Sequence, residues 1–129
     1  MEQKKLPDAE FEIMKAIWQM QEPVTSALIT AQLRRIPSAK DWKPQTILTM
    51  LTRLEQKGFL RSEKHGRERA YYVLIPQAEY LQIEANSLRQ RFSGGRFAGL
   101  VKAICDTEDL TAADIADLQR WLNERSGQS

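Results

Sequence analysis

The stretch from Pro44 to Ile75 constrains the fold more than any other part of this chain. Pro44 sits where proline is welcome, in the first turn of a helix, because the N–H it lacks would have no intrahelical partner there. Ile47, Met50, Leu51 and Leu54 follow at i, i+3, i+4 and i+7, and Gly58 is a natural stop just past the end. The spacing predicts a helix over 44–57. Behind it, Phe59–Lys64 and Arg69–Ile75 read as strands, the second rich in Tyr71, Tyr72, Val73 and Ile75. His65-Gly66-Arg67 makes the tight turn between them, so the pair forms a hairpin.

The flanking segments are helical by the same period. Asp8 is placed to cap a helix over about 8–20, with Glu10 in its first turn and Phe11, Ile13, Met14, Ile17 and Trp18 on one side. After Pro23, Val24 offers a short extended piece, and Thr25 or Ser26 caps a second helix. Its apolar stripe is Leu28, Ile29, Leu33 and Ile36, and Pro37 closes it. Lys40-Asp41-Trp42-Lys43 is a polar loop broken by one aromatic. Past Pro76, Leu81, Ala85, Leu88 and Phe92 make a long helix, broken at Gly94-Gly95. Phe97, Leu100, Val101 and Ile104 suggest a short one. Thr111 with Asp114 resembles a capping box opening a last helix that carries Ile115, Leu118, Trp121 and Leu122. Three helices, a hairpin and three more helices predict a mainly α protein with a small β-hairpin. The arrangement is a winged helix-turn-helix domain over 1–75, followed by a separate helical region over 76–129.

Composition narrows the chemistry. At 129 residues, with 42% hydrophobic and 28% charged side chains, one domain or a domain with an appendage is expected. No apolar run approaches the roughly 20 residues of a membrane helix, and no apolar stretch follows Lys4 and Lys5 as in a secretory signal, so a cytoplasmic chain without membrane insertion is expected. Cys105 and His65 are single, which leaves no intramolecular disulfide, no HExxH and no cysteine metal cluster; phosphate-binding glycine loops are missing as well. An enzyme is not expected, nor a metal or cofactor. Residues 1–75 hold 13 Lys+Arg against 9 Asp+Glu, whereas 76–129 hold 6 against 8. A basic first half suits a polyanion-binding module, although solvated surface charge reads equally well from these numbers alone.

Projected at about 100° per residue, the helix over 44–57 has an uncharged polar side. Gln45, Thr49, Thr52 and Gln56 lie opposite the apolar stripe, flanked by Thr46 and Arg53. Ordinary solvent faces carry mixed charges; amides, hydroxyls and arginine are the groups that meet base edges, guanine or phosphate. Pro44 and Gln45 open the helix, where free N–H groups and the positive dipole end favour phosphate. Leu48 projects away from the buried stripe and could meet a thymine methyl or a neighbouring element. Around the turn, Arg61, Lys64, Arg67 and Arg69 make the hairpin basic, where such contacts position a protein on DNA without reading sequence.

These residues resemble the BlaI/MecI/CopY penicillinase-repressor family of winged-helix transcriptional regulators. The likeness runs through Leu6-Pro7-Asp8-Ala9-Glu10-Phe11 to Trp18 and through Trp42-Lys43-Pro44-Gln45-Thr46-Ile47 to Arg53-Leu54. It continues in Lys57-Gly58-Phe59-Leu60, Gly66-Arg67, Tyr71-Tyr72, Glu79-Tyr80, Gly94-Gly95, Leu100-Val101 and Glu108-Asp109-Leu110-Thr111. The resemblance implies a repressor of β-lactam resistance or related genes, bound to double-stranded operator DNA through Lys43, Gln45, Thr46, Thr49 and Arg53 on the helix and Lys64 and Arg67 on the wing. It also implies a homodimer made by the C-terminal helices. One short amphipathic helix cannot bury its own stripe, so Leu88, Phe92, Phe97, Leu100, Ile104, Leu118 and Trp121 need a partner surface, either a second copy or the winged-helix core. A two-fold dimer reads a roughly palindromic operator.

The antibiotic-responsive members of that family answer to a membrane sensor peptidase, whose signal leads to cleavage of an Asn-Phe bond. The corresponding stretch here is Lys102-Ala103-Ile104-Cys105, so induction either uses another bond or does not operate this way. Copper-responsive members carry a Cys-x-Cys pair, which a single Cys105 does not supply. Two rival readings follow from the residues: a redox-responsive regulator using Cys105 across the dimer axis, and a winged helix used only for protein–protein contact.

Overall fold

The computed structural model describes residues 5–92, 97–106 and 109–127. Its elements in chain order are α1 (Asp8–Trp18), β1 (Val24–Thr25), α2 (Ser26–Leu33), α3 (Pro44–Gln56), β2 (Leu60–His65), β3 (Glu68–Val73), α4 (Gln77–Arg91), α5 (Phe97–Cys105) and α6 (Ala112–Ser126). The chain divides into two compact units, 1–88 and 89–129. The break predicted at Gly94-Gly95 lies outside the described residues.

In the first unit the apolar stripes meet. Ile13, Met14 and Ile17 of α1, Ile29 and Leu33 of α2, and Ile47, Met50, Leu51 and Leu54 of α3 are buried together with Phe59, Leu60, Tyr71 and Ile75. The hairpin is part of a three-stranded antiparallel sheet of order β1-β3-β2. Val24 pairs with Tyr71 and Thr25 with Ala70, while β2 and β3 run in register from Leu60↔Val73 to His65↔Glu68. His65 therefore belongs to a strand, and the turn is Gly66-Arg67 alone. Gly66 has φ +64 and no non-glycine residue described has positive φ. Glycine at the first of two central positions is the type II′ pattern, whose twist matches the strands.

Helix ends follow the predicted chemistry, with corrections. Thr25 caps α2, its hydroxyl accepting from the Leu28 N–H at 3.2 Å. α3 starts with Pro44 and ends in a Schellman motif. Gly58 at φ +83 donates to the Glu55 carbonyl, and Phe59 to the Leu54 carbonyl at 2.9 Å. Asp8, expected as the cap of α1, lies inside the helix; Pro7 precedes it with no side-chain cap bond. The second helix ends at Leu33 rather than at Pro37, because the chain tightens into i→i−3 bonds at Arg35 and Ile36. Leu28, placed in the buried stripe by periodicity, is 52% exposed. The eight-residue helix turns only its Ile29 and Leu33 edge to the core.

Tyr80 extends the first core beyond Ile75. Its ring is 1% exposed and lies within 5.5–5.7 Å of Phe11, Trp18 and Phe59, ring centre to ring centre. The hydroxyl accepts from the Leu6 N–H and donates to Glu84, so the chain start and α4 are tied through one phenol. Burial pushes this phenol up to about 12. In the second unit, α6 has the predicted capping box, Thr111 and Asp114 each accepting from the other's backbone N–H. Neither α5 nor α6 contains a buried residue.

Candidate nucleic-acid interface

α3 presents its polar side to solvent. Gln45, Thr46, Thr49, Thr52, Arg53 and Gln56 are exposed, while Ile47, Met50, Leu51 and Leu54 anchor the other side in the core. The two central hydroxyls are already engaged: Thr49 donates to the Gln45 carbonyl at 2.9 Å and Thr52 to the Leu48 carbonyl at 3.0 Å. Each spends its one proton on the helix and keeps acceptor lone pairs and a methyl for the outside.

Three contacts that periodicity could not announce hold α3 in place. Arg34, just past α2, donates to the carbonyls of Lys40 and Trp42 at 2.8 and 2.6 Å, bracing the loop that delivers Lys43 and Pro44. Lys57, at the far end of α3, pairs with Glu10 of α1. Glu10 is buried, so the role expected for it at the helix start is joined by an ion pair across the core's edge. Glu55 accepts from Ser62 of β2 at 2.7 Å, and Ser62 accepts from Arg69, which links α3 to the sheet beside it. Arg34, Glu55 and Ser62 carry no sequence signal of these roles, whereas Glu10 and Lys57 stand in stretches that carry the family likeness.

The wing separates the basic residues into two kinds. Arg61 donates to Glu63 at 2.8 Å and stacks 4.1 Å from the centre of the Tyr72 ring. That guanidinium, with His65 3.4 Å away, holds the Glu63 carboxyl below the usual carboxylate range. Arg69 is bonded to Ser62. Among the described residues Lys43, Arg53, Lys64 and Arg67 make no ion pair, and all four are exposed. Cations held by their own protein have less to give an incoming phosphate than cations standing free.

The predicted dimer residues fall elsewhere. Leu88, Phe92, Phe97, Ile104 and Trp121 are exposed, and Leu100 and Leu118 half-buried. Cys105 is a half-buried free thiol. Among the described residues no cluster of His, Cys, Asp or Glu could hold a metal, and no helix is long and apolar enough to cross a membrane.

This arrangement has known counterparts. The solution structure of the DNA-binding domain of the repressor BlaI matches with a TM-score of 0.52 and 34% identity, covering 61% of this chain and 92% of that one. The penicillinase repressor of Bacillus licheniformis is 32% identical over 97% of both chains. The methicillin resistance regulatory protein MecI of Staphylococcus aureus is 31% identical over 94% of this chain and 95% of its own. A model of the family described as penicillinase repressor matches residues 6–124. With that span of agreement behind a three-helix body and its wing, the chain belongs to the penicillinase repressor family.

Proposed function

We propose that this protein is a homodimeric, sequence-specific transcriptional repressor that occupies a promoter operator. Residues 1–75 bind the DNA and residues 76–129 make the dimer. α3 enters the major groove with Gln45, Thr46 and Thr49 at base edges, and Lys43, Arg53, Lys64 and Arg67 meet the phosphates on either side. The observation that carries this reading is the exposed, carboxylate-free face from Gln45 to Arg53, bordered by cations that no internal partner neutralises. The apolar sides of α4, α5 and α6, with Leu88, Ile104 and Trp121 exposed, support a second copy as their cover. Two half-sites held by one dimer gain avidity, so loss of the dimer releases the operator. A membrane sensor peptidase acting indirectly is an upstream partner only if its signal ends in cleavage of a bond other than Asn-Phe, which Lys102-Ala103-Ile104-Cys105 does not contain.

The test is binding of the full chain to duplexes from its own promoter region. Gln45→Ala and Thr49→Ala should each cost about 1–3 kcal/mol on the preferred duplex and little on random DNA. Log affinity should fall linearly with log salt concentration. Affinity indifferent to salt and to both substitutions would point instead to a winged helix used for protein contact.

A further inference from the structure

We infer that Leu48 is a specificity-determining residue, which reads the 5-methyl group of a thymine in the operator half-site; this rests on the α3 assignment above. Leu48 is 43% exposed although its helix is anchored in the core by Ile47, Met50, Leu51 and Leu54, and Ile47, next to it in sequence, is 1% exposed. It stands about 60° around the helix from Gln45 and about 40° from Thr52, so it borders the polar face rather than the core. It is also in the amino-terminal half of α3, the half of a recognition helix whose side chains reach base edges.

Its neighbours decide the chemistry. Thr52 donates its hydroxyl proton to the Leu48 carbonyl and Thr49 donates to the Gln45 carbonyl. Neither hydroxyl proton is therefore on offer to a base without breaking a bond within the helix. What the Leu48 side of the face offers is aliphatic surface, and the one base feature in the major groove that rewards it is the thymine methyl. Gln45 beside it has an amide that can bond adenine N6 and N7 as a pair. A leucine and a glutamine at adjacent points of the same face suit neighbouring A·T pairs read in opposite senses, methyl on one and purine edge on the other. On the other flank Glu55, two turns further along the helix, accepts from Ser62 of β2, which turns its carboxylate toward the sheet.

The experiment uses duplexes enriched by the full-length protein from a random-sequence pool, with each half-site thymine replaced in turn by deoxyuridine, which removes only the methyl. At one thymine the parent protein should bind the deoxyuridine duplex about fourfold more weakly, the fold-change for losing one methylene-sized apolar contact. Leu48→Ala should bind both duplexes alike, at the weaker level. Its fold is checked by an unchanged unfolding midpoint. If the parent is indifferent to every thymine replacement while Gln45→Ala still weakens binding, the methyl reading is wrong and the α3 assignment survives. If Leu48→Ala keeps the fourfold difference, another side chain reads the methyl and the inference fails. If no sequence is enriched at all, the α3 assignment fails and takes this one with it.

Discussion

The two units of the chain treat their apolar side chains in opposite ways. From α1 to β3 the periodic stripes close on one another, and the aliphatic residues named in the core are at most 7% exposed. In α5 and α6 the periodicity is as regular, yet Phe97, Val101, Ile104, Ile115, Trp121 and Leu122 are 42–53% exposed. Sequence pattern says which side of a helix seeks cover, and only the number of neighbouring elements decides whether that cover is intramolecular. Three helices and a sheet provide it; α5 and α6 by themselves do not. Large apolar side chains left exposed at regular helical spacing call for a partner surface.

The largest effect should come from the closed unit. Leu51 is fully buried in α3. Leu51→Ala should cost about 2–5 kcal/mol, read from chemical unfolding of the full chain. A loss below about 1 kcal/mol would show that the first unit is less tightly closed than its burial states. Next comes the open unit. Trp121→Ala should weaken self-association by about 2 kcal/mol or more, measured by sedimentation across a dilution series, because aromatic anchors dominate such interfaces. The first unit should keep its unfolding behaviour. Were the chain to remain as strongly associated as before, the exposed side of α6 would not be the dimer surface.

A third test probes where the closed unit ends. Tyr80 is buried beyond the hairpin, and its phenol is raised from 10.0 to about 12. A raised folded value means the neutral form is favoured by folding. Its contribution is therefore complete below about pH 10 and lost as the pH climbs through about 12, on the order of 2 kcal/mol by the end. Tyr71, raised by burial in the same direction, adds to the loss. Tyr80→Phe should remove part of this alkaline sensitivity in pH-dependent unfolding. An unchanged alkaline profile would mean that α4 is not part of the first core.

Much of this was legible in the residues because it is written in local rules. Pro44, the Ile47–Leu54 spacing and Gly58 mark α3 at both ends, and the polar face read from 100° steps is the face in solvent. The pairing of β1 with β3 was not legible: two residues carry no period, and their register is set by a distant strand. Arg34 was not legible either. A side chain that bonds two loop carbonyls obeys the geometry of that loop, which no spacing along the chain encodes. Leu28 misled for the complementary reason. It stands about 100° around the helix from Ile29 and about 140° from Leu33, the only edge that α2 turns to the core, so the repeat set it on the solvent side.

The smallest effect separates local from tertiary support. α1 has no side-chain cap and many buried contacts, whereas α6 has a complete capping box and no buried residue. A helix without a core must draw more of its stability from its ends, since isolated helices of this length are marginal in water. Thr111→Ala removes the hydroxyl that accepts from Asp114 at 3.0 Å and should cost about 1 kcal/mol of local stability. The loss should appear as faster amide exchange along Ala112–Ser126 and as weaker association, because a frayed α6 presents Trp121 poorly. Asp8→Ala, at the uncapped end of α1, should change exchange in α1 by much less. Equal effects at the two sites would mean that packing, and not the cap, holds α6, and that its apolar side is already covered at the dilution used.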